Sequence, residues 1–161
     1  IQKILDILRE GKKVAMISDA GTPGISDPGF VIVSRAVAEG LEVSALPGAT
    51  AFAPALVNSG FPTDKFIYLG FLPIKKGRQT LFNSLREEKK TVVFYESPHR
   101  ILKTLSQMKE ALGGERKVAI CRELTKIHEE TVRGTLNEAY NVFSNKNPKG
   151  EFTVVLAPSG F

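Results

Sequence analysis

The chain opens with apolar residues at helical spacing: Ile1, Ile4, Leu5 and Leu8 share one face of a helix predicted over 1–9. The next run, Val14-Ala15-Met16-Ile17, is short, β-rich and bounded by turn residues, so it reads as a buried strand. Phe30-Val31-Ile32-Val33 with Ala36-Val37-Ala38 returns to helical spacing and stops at Gly40, a C-terminal cap. Asp27 before Pro28 reads as the N-cap of that helix with proline at its first position. Glu42 to Leu46 reads as a second strand, and Thr50 to Asn58 as a short helix that has to hold Pro54 in its first turn or bend there. Strand alternating with helix predicts right-handed crossovers and a parallel sheet.

A cluster of turn residues, Gly60-Phe61-Pro62-Thr63-Asp64, marks a domain boundary, dividing the chain into 1–62 and 63–161. Beyond it the pattern predicts a strand at 65–71, a basic turn at 73–77, a helix at 79–88 and a strand at 91–95. A helix follows from Pro98, with Ile101, Leu102 and Leu105 inside, and stops at Gly113-Gly114. Strands at 116–121 and 129–133, a helix at 136–143 and a last strand at 150–156 complete the reading. Neighbouring strands here are close enough for hairpins, so this half is expected to carry a mixed sheet. The fold class is α/β, part of a parallel-sheet N-terminal domain followed by a mixed-sheet C-terminal domain.

The length of 161 residues suits one ordinary domain or two small ones. No apolar run reaches the length of a membrane span and no secretory signal opens the chain, so a cytoplasmic protein is expected. The single cysteine, Cys121, excludes an internal disulfide and lies in a strand-like run, which points to buried packing. With 2 histidines and 1 cysteine, no structural zinc site is expected. A net charge of +5 leans towards polyanionic partners without naming one.

Candidate chemistry centres on Ser18-Asp19-Ala20-Gly21-Thr22-Pro23-Gly24-Ile25-Ser26-Asp27-Pro28-Gly29, the loop between the first predicted strand and its helix. Such a loop lies at the carboxyl edge of an open sheet, where α/β folds bind ligands. Its glycines let backbone approach a ligand and its prolines hold it rigid. It contains neither Gly-x-x-x-x-Gly-Lys-Ser/Thr nor Gly-x-Gly-x-x-Gly, which removes the P-loop reading and leaves dinucleotide binding weakly supported. Asp19 and Asp27 read either as ribose ligands or as caps of the loop and helix.

This loop closely resembles that of the tetrapyrrole methylase superfamily, and within it the branch of small-subunit ribosomal RNA methyltransferases. Leu46-Pro47-Gly48-Ala49-Thr50-Ala51, Gly70-Phe71-Leu72-Pro73, Phe94-Tyr95-Glu96-Ser97-Pro98-His99-Arg100 and Arg122-Glu123-Leu124-Thr125-Lys126 match in the same order and spacing. The resemblance covers the whole chain. It implies an enzyme that transfers a methyl group from S-adenosylmethionine to a cytidine 2′-hydroxyl of small-subunit ribosomal RNA, working as a homodimer with the cofactor between its domains. The rivals are a corrin or porphyrin precursor methyltransferase and a non-catalytic RNA-binding fragment. Relative to the family an N-terminal portion with a further Gly-rich loop is absent, which implies that this chain by itself is inactive.

By the same resemblance, Ala20, Gly21, Thr22, Ile25, Thr50, Ala51, Glu96 and Leu124 line the cofactor. In-line methyl transfer needs close alignment of donor and acceptor more than a covalent nucleophile. A ribose hydroxyl is a poor nucleophile, so a general base would help, and Glu96, His99, Glu123, His128 and Glu129 are candidates beside the phosphate-holding Lys126. Spacing selects none of them: His99 also reads as an exposed helix start, and Arg122 and Glu123 also read as a neutralising pair. Lys75, Lys76, Arg78, Arg100 and Lys126 are expected to form part of an RNA-facing surface.

Overall fold

The computed structural model describes residues 1–161, which form two compact units, Ile1–Thr50 and Ala51–Phe161. In the first unit, α1 (Gln2–Arg9) touches α2 (Phe30–Ala38), and each buries one residue, Leu5 and Ala36. Arg9 holds Glu39 through two parallel hydrogen bonds, Nε to Oε2 at 2.8 Å and Nη2 to Oε1 at 2.6 Å. α2 starts later than the Asp27-Pro28 signal, with Gly29 as its N-cap.

The strands read at 14–17 and 42–46 do not form. Both segments run without ladder partners, and Val14, Met16, Ile17, Val43 and Leu46 are exposed. An apolar run becomes a strand only when neighbours take up its N–H and C=O groups, and two short segments fall below the three or more strands a stable sheet needs. The expected parallel sheet is therefore not realised in residues 1–50.

The second unit holds the sheet. Its strands are β1 (Phe66–Phe71), β2 (Thr91–Glu96), β3 (Lys117–Arg122), β4 (Glu130–Thr135) and β5 (Phe152–Leu156), in the order β1-β2-β5-β3-β4. β1 and β2 are parallel and every other pair is antiparallel, so the sheet is mixed as the hairpin spacing implied. Side chains alternate between the two faces. Val92, Phe94, Val118, Ile120, Phe152, Val154 and Leu156 join one cluster with Phe82 of α4 (Arg78–Ser84), Leu105 of α5 (Ile101–Leu112) and Phe143 of α6 (Leu136–Ser144). Val93, Ala119, Cys121 and Val155 form a smaller cluster with Ala55 and Leu56 of α3 (Phe52–Ser59).

α3 thereby belongs to the second compact unit, which begins at Ala51. Its Pro54 sits in the first helical turn, where no backbone bond is lost. Cys121 is buried in this smaller cluster, and burial pushes its thiol above the ordinary value, which leaves it unreactive.

Register brings one set of strand ends together. Glu96, the last residue of β2, pairs with Phe152 at the start of β5, and Phe152 also pairs with Arg122, the last residue of β3. Phe71 at the end of β1 pairs with Tyr95. The matching segments around Phe71, Glu96 and Leu124 therefore share one edge of one sheet.

Candidate functional site

In residues 1–50 the glycine-rich loop folds against the Pro47-Gly48-Ala49 segment. The Thr22 hydroxyl donates to the Ala49 carbonyl at 3.1 Å, and the Ser18 hydroxyl donates to the Gly21 carbonyl at 3.0 Å. Gly21 takes φ +76°, and a Cβ built on it would lie 3.3 Å from the Ala49 oxygen. Backbone meets backbone here, and a side chain on Gly21 would have to push the Ala49 carbonyl back by a few tenths of an ångström. Ala20, Gly21 and Ile25 are exposed, while Thr22 and Thr50 are half-buried. Five of the eight expected cofactor residues thus lie on this unit, as a surface of small groups on a braced loop.

The other three, Ala51, Glu96 and Leu124, lie on the second unit, where the structure gives Glu96 different work. Its side chain is buried. Oε1 accepts the Ser97 N–H at 2.8 Å and lies 2.8 Å from Arg100 Nη2. Oε2 accepts the Thr104 hydroxyl at 2.6 Å and lies 3.6 Å from Arg78 Nη2. Arg78, itself only 5% exposed, donates to Thr104 Oγ1, to Gln107 Oε1 and, at 2.9 Å, to the Pro73 carbonyl. Burial pulls its guanidinium below the usual value while Glu96 pushes back.

Both oxygens of this carboxylate are taken up from within the protein. It ties the end of β1 to the end of β2 through α4 and α5. Arg78 and Arg100 are correspondingly withdrawn from the expected RNA-facing set. Arg78, Thr104 and Gln107 were missed in the sequence; only the Glu96/Arg100 spacing of four residues on one local turn pointed there.

Ala51 lies next to Phe52, whose N–H donates to the Tyr95 hydroxyl at 3.3 Å as α3 begins. Tyr95 packs edge-on against Tyr68 and Phe71, and burial pushes its hydroxyl up to about 12. Leu124 is half-buried against the smaller cluster, between Glu123 and Thr125, both in the left-handed region at φ 51° and 65°. Two non-glycine residues in that region cost on the order of 1–3 kcal/mol each and persist only when surroundings hold them.

The holding groups are clear. Glu123 Oε1 accepts the Glu151 N–H at 2.8 Å and lies 3.1 Å from Lys126 Nζ, which also reaches Glu151 Oε2 at 3.0 Å. Glu129 Oε2 accepts the Thr125 N–H at 2.7 Å. Glu123, Lys126 and Glu129 thus brace one turn. His99 and His128 are exposed. No three His, Cys, Asp or Glu side chains come close enough to hold a metal ion.

The brace has a testable pH dependence. The Glu151 N–H, then Lys126, hold the Glu123 carboxyl below its ordinary 4.5. A depressed folded value means that the stabilisation is fully present above 4.5 and is lost as pH falls through the folded value. The Glu151 amide nitrogen resonance is expected to stay constant from neutral pH to about 4.5 and to move below it. Glu123→Gln should abolish that movement; a midpoint above 4.5 would contradict the brace.

A family model for Tetrapyrrole (Corrin/Porphyrin) Methylases matches residues 1–140. Ribosomal RNA small subunit methyltransferase I of Thermotoga maritima is 50% identical over 157 residues, 98% of this chain and 70% of that protein. Further relatives of the same name are 44–48% identical, and the chain spans 51–56% of their length. Among solved structures, the methyltransferase CobJ superposes with a TM-score of 0.69 at 21% identity, over 98% of this chain and 70% of that one. Uroporphyrin-III C-methyl transferase from Thermus thermophilus, complexed with S-adenosyl homocysteine, superposes with a TM-score of 0.54 at 18% identity, over 84% and 62%. The chain belongs to the tetrapyrrole methylase family. No helix is long and apolar enough to cross a membrane.

Proposed function

We propose that this chain is the S-adenosylmethionine-dependent, substrate-binding part of a methyltransferase acting on small-subunit ribosomal RNA, at a cytidine 2′-hydroxyl, in the cytoplasm and as a homodimer. The observation that carries the reading is the 50% identity across 98% of the chain to a ribosomal RNA methyltransferase. The corrin and porphyrin alternative rests on the description of the family model and on fold likeness at 21% identity, and no observation favours a bare RNA-binding fragment.

The cofactor brings an activated sulfonium methyl group, so the residues need to bind, orient and exclude water more than to form covalent bonds. The exposed Ala20-Gly21 backbone, braced by Ser18 and Thr22, has the chemistry for that binding: small groups and close backbone. Ile25, Thr50 and Ala51 extend the proposed contact set.

The test incubates the protein with methyl-labelled S-adenosylmethionine and small ribosomal subunits from a strain lacking this modification. The RNA is then digested and its nucleosides resolved by mass spectrometry. The expected product is 2′-O-methylcytidine at one position when the chain carries in addition the N-terminal portion of the family, and none from this chain by itself. A parallel incubation with a tetrapyrrole precursor in place of the subunits, giving label there while the RNA takes none, would overturn the reading.

A further inference from the structure

The sheet edge that carries Glu96 has a second feature that the site above does not use. A cleft of about 440 Å³ is lined by Pro98, His99, Leu102, Asn147, Pro148 and Lys149. It lies between the β2–α5 turn and the α6–β5 loop, which the pairing of Glu96 with Phe152 brings side by side. Its size falls within the roughly 300–1,000 Å³ of ligand-holding clefts.

Most cations of this edge are already committed. Arg78 and Arg100 serve Glu96, Arg122 and Lys146 serve Glu130, and Lys126 serves Glu123 and Glu151. The Lys149 ammonium and the His99 imidazole have no partner in the chain. Their backbones are nonetheless fixed: Arg122 Nε donates to the Lys149 carbonyl at 2.6 Å, and the His99 N–H donates to Ser97 Oγ at 3.1 Å. Two free polar side chains on pinned backbone thus face a cleft whose remaining walls, Pro98, Pro148 and Leu102, are apolar. One anionic group beside one flat apolar group is the chemistry that matches it.

We propose that this cleft takes one nucleotide of a single-stranded RNA, with its phosphate on Lys149, its base against Pro98, Leu102 and Pro148, and hydrogen bonds from His99 and Asn147. The inference rests on the reading of the protein as an RNA methyltransferase and names where the RNA lies. Single-stranded RNA is recognised by splayed bases on flat surfaces together with phosphate contacts. A phosphate site alone would need no apolar walls.

The experiment titrates isotope-labelled protein with a short single-stranded RNA oligonucleotide and, separately, with inorganic phosphate. Amide shifts at His99, Asn147, Lys149 and Gly150 are expected with the oligonucleotide and not with phosphate at equal concentration. An equal response to phosphate alone would overturn nucleotide recognition. Lys149→Glu alters an exposed side chain, and by fluorescence anisotropy it is expected to weaken RNA binding about tenfold or more, the measure of one lost charge-assisted hydrogen bond. The slope of log affinity against log salt should become shallower by about 0.7. Lys89→Glu, at the opposite end of β2, makes the same charge change and should lose far less. Unaltered RNA affinity in Lys149→Glu overturns the cleft and leaves the RNA reading standing; an unaltered protein that binds no RNA overturns both.

Discussion

Glu96→Ala is expected to destabilise the 51–161 unit by about 3–5 kcal/mol, the range for removing one member of a buried ion pair. The reason is what remains behind. Arg78 stays 5% exposed with its counter-charge gone, and the Thr104 hydroxyl loses its acceptor. Domains of this size have net stabilities of only about 5–15 kcal/mol, so much of the reserve disappears. Arg100→Ala should cost less, because Glu96 keeps Arg78, Thr104 and the Ser97 N–H, and Arg100 is itself 25% exposed. Thr104→Val, which removes the hydroxyl linking Arg78 to Glu96, should fall between them at about 1–3 kcal/mol. Urea unfolding followed by circular dichroism gives the order. A Glu96→Ala protein as stable as the unaltered one, but with weakened cofactor binding, would return Glu96 to the cofactor set.

The contrast between the two halves of the chain shows what sequence carries. In the second half, Val92 to Tyr95, Val118 to Cys121 and Phe152 to Leu156, with Thr153 the one polar member of the last, read as strands because both faces are buried and the runs are mostly apolar. Gly113 marks the end of α5 there, while the Thr135/Glu138 capping box that opens α6 went unread. In the first half the same kind of run, Val14 to Ile17, stays unpaired and exposed, since hydropathy records a preference for burial and not the presence of a neighbour.

Sheet order was not legible. β5 enters between β2 and β3, and only that insertion sets Lys149 beside His99. The site was legible as segments and not as roles: Glu96 stood out in its motif, but its partner Arg78 comes from the basic turn that spacing assigned to RNA. A charge in a turn is free or buried according to what packs above it, and here Thr104 and Gln107 of α5 decide.

Gly21→Val is expected to weaken S-adenosylmethionine binding roughly 10–100-fold, corresponding to about 1.4–2.8 kcal/mol. Two costs combine. A β-branched residue at φ +76° carries backbone strain on the order of 1–3 kcal/mol. Its Cβ would also lie 3.3 Å from the Ala49 carbonyl, a tight contact with backbone that has little freedom to retreat. The loop relieves both by leaving Ala49, which moves the exposed Ala20-Gly21 backbone off the proposed cofactor surface. Gly21→Ala keeps the conformational cost with less bulk and should lose less affinity. Thr22→Val removes only the 3.1 Å hydrogen bond to Ala49 and should lose least. Calorimetric titration with S-adenosylmethionine measures all three. Circular dichroism separates loop damage from unfolding, because Gly21 lies outside the unit that holds the sheet. Equal affinities across the series would place the cofactor away from this loop, whereas the graded order ties binding to the contact between Gly21 and Ala49.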